Sequence, residues 1–382
     1  MSCRRNRAFT LIEMMVAVAV GAATVIMAAK IAAVVLQQNS LSEQKQDLSL
    51  RTRVLSEQLR ADIRLAGLGS TGAIGVDPVL PALGAMAIAA TPRGGFPAIP
   101  AVAGANNLGF IGLPTGTLMM QTDAIQLVVP NPISMVRTTQ RARRNGNVLT
   151  FANTAALGGC PLVYIHDHSN PNGAGRTQLA WTLATAATTV SIQGSLLFTA
   201  AAGSEVYCAR VSTYWVDDQG WLHRSDLNPN GGVIRLGTSQ VYVTDAPIVP
   251  DQMAPGVTNL QVAYKVSAEA YRQSNPPAPV PVAPEAQWAY TAVAPNANAL
   301  MSDATNPHLW FEVRLVRMNF FAVRAKRSTR NTHLTPQARA EDGDPTNEAS
   351  ATGGDWVVAT EAVTNLKMFD TATPTLVPAE PY

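Results

Sequence analysis

The chain begins MSCRRNRAFTLIEMMVAVAVGAATVIMAAKIAAVVL, Met1 to Leu36. Arg4, Arg5 and Arg7 form a cationic leader with no acid among them. From Phe9 to Leu36 the only charges are Glu13 and Lys30. As a helix this stretch would be about 42 Å long at about 1.5 Å per residue, enough to cross a bilayer. The basic leader puts the N-terminus in the cytoplasm and the rest outside. A secretory signal peptide has an apolar core of about 7–15 residues and then a cleavage site. Here the run is longer, carries a carboxylate near its start and continues into a second helical stretch. A plain membrane anchor accounts for the hydrophobicity but not for Glu13, since an acid in a membrane helix costs about 2.5–3.5 kcal/mol.

The rest of the composition suits a soluble head on that single anchor. Of the 382 residues 14% are charged, well below the roughly 25% usual in soluble domains. That argues against a disordered, strongly acidic or nucleic-acid-wrapping chain. No second long apolar run follows, which argues against a multispan transporter.

Beyond Gln37 the pattern turns amphipathic. Val34, Leu41, Leu48 and Leu55 recur by sevens, and Leu59 and Ile63 continue by fours. Asp47 with Arg51, and Arg53 with Glu57, are spaced as pairs on the wet side. Gly67 and Gly69 end the helix. One helix from Phe9 to about Ala66 is expected, roughly 87 Å long, with the Leu stripe covering a sheet; a dimeric coiled coil is the rival use of that stripe. From Gly67 to about Gly116 the Gly, Ala and Pro content predicts an extended, poorly regular connection. Period-two patterns then predict strands at 124–129, 148–151, 162–165, 179–183, 205–216, 221–224, 240–244, 260–266, 309–323 and 356–359. A bulge near Leu315 would reconcile a change of apolar phase, and Asp217–Gly220 reads as a hairpin turn. Pro-rich and acidic insertions fall near 272–307 and 333–355. The fold class expected is α+β, a long N-terminal helix packed on a β-rich head that occupies 67–382.

Arg7-Ala-Phe-Thr-Leu-Ile-Glu13 resembles the processing site of type IV prepilins and pseudopilins. The resemblance implies that residues 1–8 are removed by a prepilin peptidase between Ala8 and Phe9, that Phe9 is N-methylated, and that Glu13 is the carboxylate needed for assembly. The family usually has Gly before the cut; Ala8 is also small. Residues 9–36 would then be the transmembrane and filament-core helix, and 37–66 its amphipathic continuation. A buried carboxylate needs a partner or a proton, and cleavage creates a cationic amine at Phe9, on the same chain or a neighbour. Val211–Arg224 is similar to the central hairpin of PilW-like minor pilins and J-like minor pseudopilins, and Val257–Tyr264 and Val313–Arg317 look like their next strands. The length favours the PilW-like reading: a minor pilin that primes assembly of a type IV pilus and sits at or near its tip. The alternatives are a J-like minor pseudopilin of a type II secretion system, and a filament-borne adhesin or DNA-binding subunit. The resemblance implies as partners other minor pilins, a major pilin, the inner-membrane assembly platform, the peptidase and a tip adhesin. It implies an inner-membrane chain with a periplasmic head, later at the pilus tip or cell surface. Cys3 leaves with the leader, so the exported head keeps Cys160 and Cys208. A bond between them is expected in an oxidising compartment, the alternative being two buried thiols.

Other motifs carry less. Gly67-Leu-Gly-Ser-Thr-Gly72 has the GxGxxG spacing but closes a helix, whereas a dinucleotide fingerprint opens one. His166-Asp-His168 lacks further zinc ligands nearby in sequence and reads as loop polarity. Asp342, Asp344 and Glu348 alternate as calcium ligands do, without the glycine of an EF-hand loop. Arg137, Arg141, Arg143 and Arg144, and Arg324, Lys326, Arg327 and Arg330, are basic runs. The mature chain would nevertheless hold 25 basic against 26 acidic residues once the three leader arginines go, so nucleic acid is not the expected partner. With no P-loop, HExxH or GxSxG, the chain reads as a non-enzyme that is itself a peptidase substrate, with no cofactor.

Overall fold

The computed structural model describes residues 11–70, 72–80, 82–88, 96–108, 112–113, 116–117, 122–169, 176–216, 221–229, 233–235, 239, 241–244, 251–255, 257–274, 277–282, 288–289, 307–323 and 354–362. The chain divides into two compact units, Met1–Arg51 and Thr52–Tyr382. A single helix, α1 (Leu11–Leu65), enters both. No proline interrupts it, and its first half is rich in alanine, the best helix former.

In the second unit the last turns of α1 lie on a sheet. Leu55, Leu59, Ile63 and Ala66 are buried in one core with Ile125, Leu127, Val211, Tyr214 and Leu260. The fourfold spacing of Leu55, Leu59 and Ile63 puts them on one helix face. Gly67 and Gly69 then take φ of 61° and 72°, the left-handed region that lets the chain leave a helix cheaply. The Gly67 amide donates to the Val128 carbonyl at 2.9 Å, which ties the exit to the sheet.

The first sheet is built from β1 (Ala73–Val76), β2 (Ala98–Pro100), β3 (Val102–Leu108), β4 (Thr122–Arg137), β5 (Val148–Thr150), β6 (Leu162–Asp167), β7 (Arg176–Thr185), β8 (Thr189–Ile192), β9 (Glu205–Val216), β10 (Trp221–Asp226) and β11 (Asp251–Pro255). β9 organises it. One edge of β9 pairs antiparallel with β4 from Glu205–Arg137 to Tyr214–Ile125. The other edge pairs first with β6, from Glu205–His166 to Cys208–Val163, and then with β10, from Ser212–Asp226 to Val216–Leu222. β11, β10, β9, β6, β7, β1 and β2 follow in that order, β3 extends the sheet from β4, and β8 links β7 to β5. A second antiparallel sheet has the order Trp288–Ala289, β12 (Val257–Val266), β13 (Val313–Val323), β14 (Gly354–Ala362). The α+β class is therefore the one expected: a long helix and a β-rich head.

Three local readings are corrected. The stretch after Gly67 is not a loose connection, because β1, β2 and β3 lie within it and all join the first sheet. Short strands with Gly and Ala at their centres give little period-two signal. Asp77 also pins this stretch, accepting from the Ser195 amide at 2.9 Å and the Ser195 hydroxyl at 3.0 Å. Second, Leu309–Glu312 is not strand but the end of a 3-10 helix, Pro307–Glu312, and β13 begins at Val313. The odd apolar phase comes from that turn together with a register shift where Lys265 faces Leu315 and Val266 faces Val313. Third, within the expected 272–307 insertion Trp288–Ala289 pairs with β12. The 333–355 insertion falls outside the described residues except at Gly354 and Asp355, which begin β14, and the Asp217–Gly220 turn lies outside them altogether.

Gly104 shows how closely the two sheets meet: a Cβ there would lie 1.7 Å from the Tyr264 hydroxyl. Tyr264 in turn packs edge-on against Trp310, with ring centroids 4.9 Å apart.

The segment between β4 and β9 has a core of its own, formed by Leu149, Phe151, Val163, Ile165, Val190 and Ile192 among others. Cys160 and Cys208 are joined across it, with Cα atoms 5.6 Å apart, inside the usual disulfide range. The link ties the chain just before β6 to the strand that pairs with β6. Closing this loop, with a sequence separation of 48, stabilises the head by about 3–4 kcal/mol on the chain-entropy account. Cys160→Ser with Cys208→Ser should lower the urea midpoint accordingly, and unreduced peptide maps of the native protein should show the two cysteine peptides joined. An unchanged midpoint would contradict the assignment of stability to this link.

Candidate assembly segment and the polar frame of the head

Residues Leu11–Asn39 form a helical stretch of mean hydropathy 2.2, long and apolar enough to cross a membrane. Its large side chains are exposed: Leu11 is 78%, Ile12 72% and Val25 69% accessible. Apolar surface on this scale signals burial in lipid or against other chains. Glu13 lies in the first turn of α1, where the helix dipole favours negative charge. The processing positions Ala8 and Phe9 lie outside the described residues.

The family model for the prokaryotic N-terminal methylation motif matches residues 3–29. That interval brackets the basic leader, Ala8, Phe9, Glu13 and two thirds of the apolar run. The motif indicates a type IV pilin- or pseudopilin-like protein. The motif marks a prepilin-type substrate, and it implies membrane anchoring and assembly with other pilins after action by a prepilin peptidase. No curated protein matches the chain.

In the head of this pilin-like chain the polar side chains form a frame. The most consequential member is Asp62, on the same helix face as Leu55 and Leu59 and only 4% exposed. Arg210 Nη2 donates to its Oδ1 at 2.6 Å, and the Tyr214 hydroxyl donates to Oδ2. Arg210 Nε reaches Ser212 Oγ at 3.1 Å, and that hydroxyl donates to Asp226 at 2.6 Å. The frame therefore runs from the helix through β9 to β10. Burial opposes the Arg210 charge, and the Asp62 carboxylate more than offsets this, so its pKa is raised further. Burial, and then the Asp62 charge, raises that of Tyr214, which stays a donor. Sequence reading missed Asp62. The one signal was an acid flanked by Leu59 and Ile63 on a stripe otherwise apolar.

The His166-Asp-His168 segment is also corrected. His166 and Asp167 end β6, and both are buried, because every residue of β6 is covered on its own face of the strand. Tyr164 belongs to one core and Val163 and Ile165 to the other. His166 Nε2 and His168 Nδ1 are 2.9 Å apart, and His168 Nε2 is 2.8 Å from Glu205 Oε2. A carboxylate only accepts, so in the neutral pair His168 donates to Glu205 and accepts from His166. Gly69 sits over this ring: its φ of 72° favours glycine, and a Cβ would lie 2.8 Å from the His166 ring. Gly67 and Gly69 of the GxGxxG spacing thus serve the helix exit, and at Gly72 a Cβ would lie 2.0 Å from the Phe311 carbonyl oxygen. Among the described residues no group of three or more potential ligands could hold a metal ion. Asp342, Asp344 and Glu348 lie outside the described residues, as do Arg324, Lys326, Arg327 and Arg330.

Glu205 also accepts from the Tyr207 hydroxyl at 2.6 Å and Arg137 at 3.0 Å. Burial alone would raise its pKa, but the hydrogen bonds from Tyr207, His168 and Arg137 outweigh burial and lower it from 4.5 to about 2. Its stabilising effect is thus complete above the unfolded value and is lost as pH falls towards the folded one. Between pH 4.5 and about 2, the melting temperature should fall more steeply for wild type than for Glu205→Gln. Parallel curves would remove Glu205 from the acid response.

Proposed function

We propose that this chain is a PilW-type minor pilin that primes assembly of a type IV pilus and sits at or near its tip. The observation that carries this reading is the size of the head set on a single exposed apolar helix. From Thr52 to Tyr382 the chain forms one unit, whose described residues include two large sheets and a separately cored segment between β4 and β9. Subunits whose helices bundle in a shaft must also pack their heads side by side. A head of this bulk would crowd its neighbours at every step, whereas a filament end leaves one side open. Cleavage between Ala8 and Phe9, methylation of Phe9 and use of Glu13 in assembly belong to the same reading. The head would face the periplasm before assembly and the cell exterior afterwards.

Few copies per filament are expected. Quantitative mass spectrometry of sheared filaments tests this: a small fraction of the main pilin supports the reading, and near-equal amounts end it. Deletion of the gene should reduce filament number without altering the shaft. Lost export of folded proteins with filaments intact would instead assign the chain to a type II secretion system.

A further inference from the structure

The near-neutral total charge hides a segregation along the chain. From Ala124 to Ser204 there are five arginines, Arg137, Arg141, Arg143, Arg144 and Arg176, no lysine, and one acid, Asp167. Asp167 is 3% exposed, and its carboxylate accepts from Ser169 and Ser204, so it offers almost no negative surface. Arg137 is engaged by Glu205. Arg176, also exposed, stands apart at the start of β7; the other three, Arg141, Arg143 and Arg144, are all exposed on the loop between β4 and β5. Among the described residues none of the three pairs with a carboxylate.

This loop is held at many points. The Thr139 amide donates to Thr150 at 2.8 Å, Ala142 and Ala200 exchange bonds of 2.9 Å, and the Asn145 amide donates to Leu196 at 2.8 Å. The Ile192 amide closes the far end on Asn147 at 2.8 Å. Ala142 is buried, so Arg141 and Arg143 flank it on the outward side of an extended segment. Holding the guanidinium groups on a fixed backbone lowers the entropy lost when an anion binds. Arginine also matches phosphate oxygens with two parallel donors.

Exposed aliphatic side chains stand on the strands at both ends of the loop. Ile133, within β4 and four residues before its end, is 91% exposed where the β4–β9 pairing is irregular and its amide donates to Asn131 Oδ1 at 3.1 Å, and Val148, the first residue of β5, is 45% exposed. The aromatic residues of the segment, Phe151, Tyr164, Trp181 and Phe198, are all buried, so they offer no surface for stacking bases. Arginines bracketed by exposed aliphatic groups suit the interface of an anionic bilayer. The apolar helix keeps the head near such a surface, which raises its effective concentration there.

We propose that Arg141, Arg143 and Arg144 dock on the phosphate headgroups of an anionic bilayer, holding the head on the membrane while the helix is still inserted. This rests on the membrane anchoring read from the apolar helix. At about fivefold per basic residue near such a surface, three arginines favour the docked state by roughly a hundredfold.

The test uses the full chain with Cys3→Ser and Gln140→Cys, carrying an environment-sensitive dye at position 140. It is placed in nanodiscs of phosphatidylcholine alone or with phosphatidylglycerol. The dye should report an apolar setting only in the anionic discs and lose that signal in high salt. It should also lose the signal when Arg141, Arg143 and Arg144 are changed to Gln, and retain it when they are changed to Lys. Equal signals in both discs would overturn the docking site alone, whereas failure of the chain to enter either disc would overturn the anchoring as well. If a 30-base-pair DNA duplex produced the signal in neutral discs while the anionic lipid did not, the loop would belong to nucleic acid and the lipid proposal would fall.

Discussion

Glu13→Ala should yield a chain that is cleaved and methylated normally yet stays in the membrane and out of filaments. Glu13 is one of only two charges between Phe9 and Leu36, in a stretch long and apolar enough to span a bilayer. Keeping an acid there costs about 2.5–3.5 kcal/mol, so it persists only if a partner uses it. In the pilin-like reading that partner is the amine created at Phe9, on the same chain or on the next subunit. Removing the carboxylate leaves the amine without its counter-charge in an apolar layer. At about 1.4 kcal/mol per tenfold, that cost corresponds to a roughly hundredfold drop in incorporation. Intact mass separates the steps: the variant should still lose residues 1–8 and gain one methyl group. If it instead kept Met1 through Ala8, Glu13 would serve the peptidase and the assembly role would fail.

Asp62→Ala should have the largest effect on the head itself. Breaking a buried ion pair by removing one partner costs about 3–5 kcal/mol. The Arg210 side chain is 38% exposed, and water can take over part of its solvation, which brings the expected loss to about 2–3 kcal/mol. The Tyr214 hydroxyl, fully buried, is then left without its acceptor, a penalty already within that figure. The melting temperature of the purified chain should fall by roughly 5 °C. Asp62→Asn keeps an acceptor for Tyr214 and should lose about half as much. A shift for Asp62→Ala within the error of the measurement would mean that the frame from α1 through β9 to β10 is not holding the helix end.

Local signals were enough for much of the architecture. Leu55, Leu59 and Ile63 mark the buried helix face, because residues four apart in a helix must share a side whatever packs there. Gly67 and Gly69 mark its exit, because few other residues enter the left-handed region cheaply. The period-two runs around 205–216 and 260–266 lie in β9 and β12, since a half-buried strand imprints its alternation on the sequence. Arg7 to Glu13 carries the methylation motif in a handful of contiguous residues, and so could be read without any fold.

What escaped that reading depends on partners distant in the chain. β1, β2 and β3 are short and gain their hydrogen bonds from neighbours such as β4 and β7, so no run of their own residues announces them. His166 is buried because β6 is covered on both faces, and its Nε2 is partnered by His168 and, through it, Glu205. Asp62 resembles any surface acid until β9 brings Arg210 and Tyr214 against it. The sequence by itself determined the helix, the apolar N-terminal span and the β character of the head, because these follow from periodicity and composition. Only the tertiary structure decided which polar residues are buried and charge-paired, because a carboxylate is kept in a core by groups that arrive from elsewhere in the chain.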